Sequence, residues 1–90
     1  MMIHPEFAVN KVACFYPSPA DVVRGMPRPG AKQWIGTVTD ARPGVTIKGN
    51  IPDLTLKIQG RSGNFVEISL VEHHARLFDT WGEALKEQKR

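Results

Sequence analysis

Leu54, Leu56 and Ile58 alternate with Thr55, Lys57 and Gln59, and Val66, Ile68 and Leu70 alternate with Glu67 and Ser69. A period of two marks a strand with one buried face. Between the runs, Arg61-Ser62-Gly63 suits a three-residue hairpin loop with Gly63 left-handed. That loop sets Ile58 opposite Val66, Leu56 opposite Ile68 and Leu54 opposite Leu70. The other face then pairs Lys57 with Glu67 and Thr55 with Ser69, both favourable across strands. Alternation and turn chemistry thus select one register independently.

The rest of the chain patterns less cleanly. Residues 7–16 place Phe7, Val9, Ala13 and Phe15 on one side and predict a strand. Ser18 as cap, Pro19 at the first helical position and Asp21 in the first turn predict one or two helical turns over 19–24, ended at Gly25. Residues 25–33, rich in Pro and Gly, predict an extended linker of polyproline character. Residues 33–41 read as a strand closed by Arg42-Pro43-Gly44, and residues 45–49 as a short strand closed by a turn at Asn50 and Pro52.

After the hairpin the period changes. Leu70, His74, Leu77, Phe78, Trp81 and Leu85 recur at spacings of three and four, predicting an amphipathic helix that buries Phe78, Trp81 and Leu85 and leaves His73 to solvent. Ser69 with Glu72 forms a capping box, and Glu72 with Arg76 a four-apart pair. Gly82, costing about 1 kcal/mol inside a helix, and a second box at Thr80 and Glu83 allow a break near Asp79. The predicted fold is α+β: a small, mostly antiparallel sheet of four to five strands, open or curled toward a barrel, with a C-terminal amphipathic helix, in one domain over 1–90.

Composition narrows the function classes. With 41% hydrophobic and 23% charged residues the chain reads as globular rather than disordered. A domain of 90 residues buries only about 60–65% of its unfolded surface, which leaves little room for a deep active site. No apolar run approaches the ~20 residues that span a bilayer, so no membrane partner is expected. The opening residues lack the charged and apolar regions of a secretory signal. Cys14 is the single cysteine, which excludes an internal disulfide and predicts a reducing, cytoplasmic setting with a buried thiol.

The net charge of +3 is unevenly placed: residues 24–61 carry a balance of +5, and the segments on either side −1 each. Such asymmetry can mark an anion-binding face. Within that stretch Arg28, Lys32, Lys48 and Arg61 surround Trp34, and cations beside an exposed ring on a small sheet suit single-stranded nucleic acid. Phe65, opposite Gln59 on the outer face of the hairpin, is a further candidate for an exposed ring.

No catalytic chemistry competes strongly. His73 and His74 are adjacent, so on a helix they diverge by about 100° and chelate poorly. No phosphate loop, metalloprotease motif or nucleophile elbow occurs, and no catalytic residue, cofactor or metal ligand is assigned. Residues 59–70 are similar in shape to the hairpin of the carbon storage regulator family of RNA-binding proteins. That likeness rests on turn chemistry, and the basic residues of that family's first strand have no counterpart before residues 45–49, so membership is not inferred. The sequence predicts a small non-enzymatic binding protein with nucleic acid as partner through Arg28, Lys32, Trp34, Lys48 and Arg61. The alternative is a protein-binding regulator or inhibitor, or a homodimer, acting through the Pro-rich segment or the C-terminal helix.

Overall fold

The computed structural model describes residues 4–24, 26–45 and 51–88. Helix α1 spans Pro5–Ala8 and is followed by strand β1, Val12–Phe15. Short strands β2, Val22–Val23, and β3, Met26–Pro27, precede β4, Trp34–Val45. Then come β5, Pro52–Gln59, β6, Phe65–Ser69, β7, Arg76–Phe78, and helix α2, Trp81–Gln88. The long strands form a five-stranded sheet in the order β6-β5-β4-β1-β7, with antiparallel neighbours throughout, and β2 with β3 forms a separate two-stranded ladder. The fold is α+β, and the sheet is open rather than closed into a barrel, with β6 and β7 as its edges.

The β5–β6 hairpin has the expected register: Ile58 faces Val66, Leu56 faces Ile68, Lys57 faces Glu67, and Gly63 sits at φ +88°. One face of the sheet carries the main core, where Phe15, Val38, Leu54, Leu56, Ile58 and Ile68 are buried together with Ala8 of α1. Burying side chains of this size contributes about 1.5–3 kcal/mol each. All four β1 residues are buried because the strand is covered on both sides. Ala13 and Phe15 join the core, while Val12 and Cys14 project the other way, toward α2, which packs on β1, β4 and β7.

Several elements depart from the sequence expectation. Residues 7–16 are not one strand: Pro5 starts a helical turn, and Asn10 at φ +72° redirects the chain before β1 begins. Ser18 caps as expected by accepting from the Ala20 N–H at 3.2 Å, but the turn is a 3-10 helix over Pro19–Asp21 that passes into β2 rather than a helix over 19–24. Of the predicted linker 25–33, Gly25 lies outside the described residues, Met26–Pro27 is paired as β3, and the remainder turns at Gly30, φ +81°. Strand β4 continues through Arg42-Pro43-Gly44 to Val45. Past Val38, whose N–H and carbonyl bond Lys11 and Asn10, it is paired among the described residues only by β5, and a proline is tolerated on such an edge. The predicted strand 45–49 lies outside the described residues beyond Val45.

The largest departure follows β6. Residues 70–74 form turns, with His74 at φ +49°, and Arg76–Phe78 adds an edge strand beside β1, so the helix begins only at Trp81. Both hydroxyls cap, the Glu72 N–H donating to Ser69 Oγ at 2.9 Å and the Glu83 N–H to Thr80 Oγ1 at 3.2 Å, but only the second opens a helix. Asp53 explains why the first does not start a helix. This buried carboxylate accepts from the Leu54 N–H at 2.7 Å, from the Val71 N–H at 3.0 Å and from the Ser69 hydroxyl. It thereby holds residues 69–71 against the start of β5. Arg76 pairs with Glu87 of α2 rather than with Glu72. Phe78, Trp81 and Leu85 are half-buried, not core, and His73 is also half-buried, its Nδ1 accepting from the Ser69 N–H at 3.0 Å.

Candidate functional site

Helix α2 covers one half of its sheet face and leaves the β5–β6 half open, where Lys57, Phe65 and Glu67 are exposed. These side chains point outward because the hairpin register turns Leu56, Ile58 and Ile68 into the core. Phe65 is 51% exposed, and the Lys57 ammonium stands 5.0 Å from its ring centroid. Glu67 pairs with Arg42 of β4 at 3.1 Å, so the expected Lys57–Glu67 neutralisation gives way to a cation beside an aromatic ring.

At the border between this open half and α2 lies a cleft of about 330 Å³, lined by Gln33, Trp34, Ile35, Arg61, Trp81, Leu85 and Gln88. Arg61, at the hairpin tip, lays its guanidinium 5.5 Å from the Trp81 ring centroid. Trp34, the first residue of β4, is 54% exposed, with its ring at 71° to that of Phe15 and 6.4 Å away. The Cys14 thiol, buried under α2, donates to Gln33 Oε1 at 2.9 Å, and the Gln88 amide donates to the Gln33 carbonyl at 2.7 Å. Burial pushes the Cys14 thiol up to about 11, Glu87 adds to the rise and Arg76 opposes it. The group therefore stays a hydrogen-bond donor at neutral pH and orients the Gln33 side chain.

A second cavity of about 280 Å³ opens on the opposite sheet face, between Phe15, Ile58 and Val66 below and Ser62 and Asn64 at the hairpin tip. Trp34 and Ile35 line both cavities. Being adjacent on a strand, they project to opposite faces, and they form the wall between the two spaces at the end of the sheet.

Of the predicted site residues, Trp34 and Arg61 are brought together in the first cleft. Arg28 and Lys32 are exposed on the segment leading into β4, where the Arg28 N–H donates to the Asp21 carbonyl at 2.7 Å and its own carbonyl accepts from Ala31. Neither lines the cleft. Lys48 lies outside the described residues. Sequence reasoning missed Trp81 as a member of the site, having assigned it to the core stripe of an overlong helix. It also missed Gln33 and Gln88, which no local pattern marks.

Ser69, Asp53 and His73 hold the residue types of a hydrolytic triad in the wrong arrangement. The Ser69 hydroxyl donates to Asp53, and His73 Nδ1 accepts from a backbone N–H instead of engaging that hydroxyl. The group fastens a turn. Among the described residues no three His, Cys, Asp or Glu side chains converge as a metal site, and no helix is long and apolar enough to cross a membrane. Comparison with protein-family models, curated proteins and solved structures finds no match to this chain.

Proposed function

We propose that this chain is a non-enzymatic binding protein for single-stranded nucleic acid, which it takes across the open half of the sheet and the cleft beside it. The observation that carries this reading is a repeated pairing of ring and cation: Lys57 against exposed Phe65, and Arg61 against Trp81 beside exposed Trp34. Bases stack on rings regardless of sequence, and phosphates pair with neighbouring cations. Arg28 and Lys32, exposed on the approach to Trp34, extend the positive surface. The test is a titration with a fluorescent oligothymidylate at several salt concentrations. Each phosphate-contacting cation contributes a slope of about −0.7 in log K against log salt, so replacing Lys57 and Arg61 by Ala weakens binding and flattens the slope by about 1.4. Wild-type protein that fails to bind at low salt overturns the reading.

A second reading has one observation of its own. Val23 and Met26 face each other across the β2–β3 ladder and are 53% and 67% exposed, an apolar spot suited to a second copy of the chain. Sedimentation of the wild type against Met26→Glu distinguishes it: a dimer that the substitution dissociates supports the spot as its interface.

A further inference from the structure

We infer that Trp34 is a wedge that separates two successive bases of the bound strand, one seated in each of the cavities it divides. The inference rests on the nucleic-acid reading above and specifies how the site engages its ligand. The two cavities lie on opposite faces of the sheet and share only Trp34 and Ile35. A strand that crosses the end of the sheet at this point meets a half-exposed indole with open space on either side. Volumes of about 330 and 280 Å³ lie just above and just below the lower limit of small-molecule sites, about 300 Å³, which suits one base each rather than a folded element.

Each cavity has the composition a base requires. On the α2 side, Trp81 and Leu85 supply apolar walls, while Arg61 can donate to base carbonyls or to the phosphate between the bases. On the core side, Phe15, Ile58 and Val66 form an apolar floor, and Ser62 and Asn64 at the hairpin tip offer polar groups to a base edge. Arg61 stands over Trp81 in the free protein, so the incoming base takes the place of a cation already seated against that ring.

The test uses Trp81→Phe protein, in which Trp34 is the sole tryptophan and reports directly by its fluorescence. Dithymidylate should quench it saturably. Thymidylate, and dithymidylate with one abasic sugar, should bind roughly tenfold or more weakly, since each stacked base contributes about 1–3 kcal/mol. In otherwise wild-type protein, Trp34→Leu should lower affinity for a longer oligothymidylate roughly a hundredfold, while Trp34→Phe, which keeps a ring, retains most of it. Circular dichroism confirms that both variants are folded. Equal affinity for dithymidylate and its abasic form, or unchanged oligothymidylate affinity in Trp34→Leu, overturns the wedge. The nucleic-acid reading then stands if salt-dependent binding persists and still depends on Lys57 and Arg61. Absence of any oligothymidylate binding to wild type at low salt overturns both.

Discussion

Arg61 and Trp81 meet across the mouth of the cleft, with the guanidinium carbon 5.5 Å from the indole centroid, and so tie the hairpin tip to the first residue of α2. Cation–π contacts at exposed sites contribute about 0.5–1 kcal/mol, too little to hold the fold but enough to bias where a mobile arginine rests. Arg61→Ala should therefore lower stability by no more than about 1 kcal/mol while shifting Trp81 fluorescence, read in a Trp34→Phe background. A large loss of stability would show that Arg61 has a structural role beyond the ring contact.

Gly36 should tolerate no side chain. A Cβ there would stand 2.3 Å from Ile58 Cγ2 and 2.8 Å from the Gln59 carbonyl oxygen, inside contact distance of a branched core side chain and of the next strand's backbone. Neither neighbour can swing away, because Ile58 is buried and Gln59 is held in the β4–β5 ladder. Gly36→Ala should cost about 1–3 kcal/mol by overpacking, measured by urea denaturation. Gly30→Ala is the instructive contrast: nothing crowds its Cβ, and any cost there comes from φ +81° alone.

Asp53 should be the polar residue on which the region after β6 depends. It accepts from two backbone N–H groups and one hydroxyl while itself only 6% exposed. Asp53→Ala strands those donors and should cost at least about 2 kcal/mol, since each buried donor left unpaired costs about 1–3 kcal/mol. Asp53→Asn keeps one acceptor oxygen and should fall between Ala and wild type. Amide exchange at Val71 should accelerate in both variants ahead of exchange in β5.

These contacts explain what the sequence disclosed and what it concealed. The β5–β6 hairpin was legible because alternation and loop chemistry, both local, demand the same register. The Thr80 capping box was legible for the same reason. The stretch from Leu70 to Leu85 misled because its three-and-four spacing is assembled from different causes. Leu70 packs on the core from a turn, Ala75 from the link into β7 and Leu77 from that edge strand, and Trp81 opens a separate helix. The tie that prevents a continuous helix comes from Asp53, remote in sequence, and no local window contains it. The site divides likewise. Trp34 was readable as a ring among cations, but its partnership with Arg61 and Trp81 follows from α2 docking on β1 and β4.

The last expectation concerns Cys14 in alkali. Burial raises its thiol from near 9 to about 11, so between those values the folded chain keeps a proton that the unfolded chain has lost. Unfolding free energy falls with pH wherever the native state binds more protons. The contribution is therefore complete below about pH 9 and disappears as pH climbs through about 11. Tyr16 is also raised by burial, so the informative quantity is the difference between wild type and Cys14→Ala. That difference in unfolding free energy should be constant at neutral pH and should shrink through the alkaline window. Loss of the proton also breaks the S–H bond to Gln33 Oε1, so Trp34 fluorescence should change over the same range in wild type and not in Cys14→Ala. At neutral pH, alkylation of Cys14 by iodoacetamide should proceed no faster than global opening of the chain, because the thiol is fully buried and protonated. A flat difference curve, or rapid alkylation of the folded protein, would show that the thiol is open to solvent and that Gln33 is held by other means.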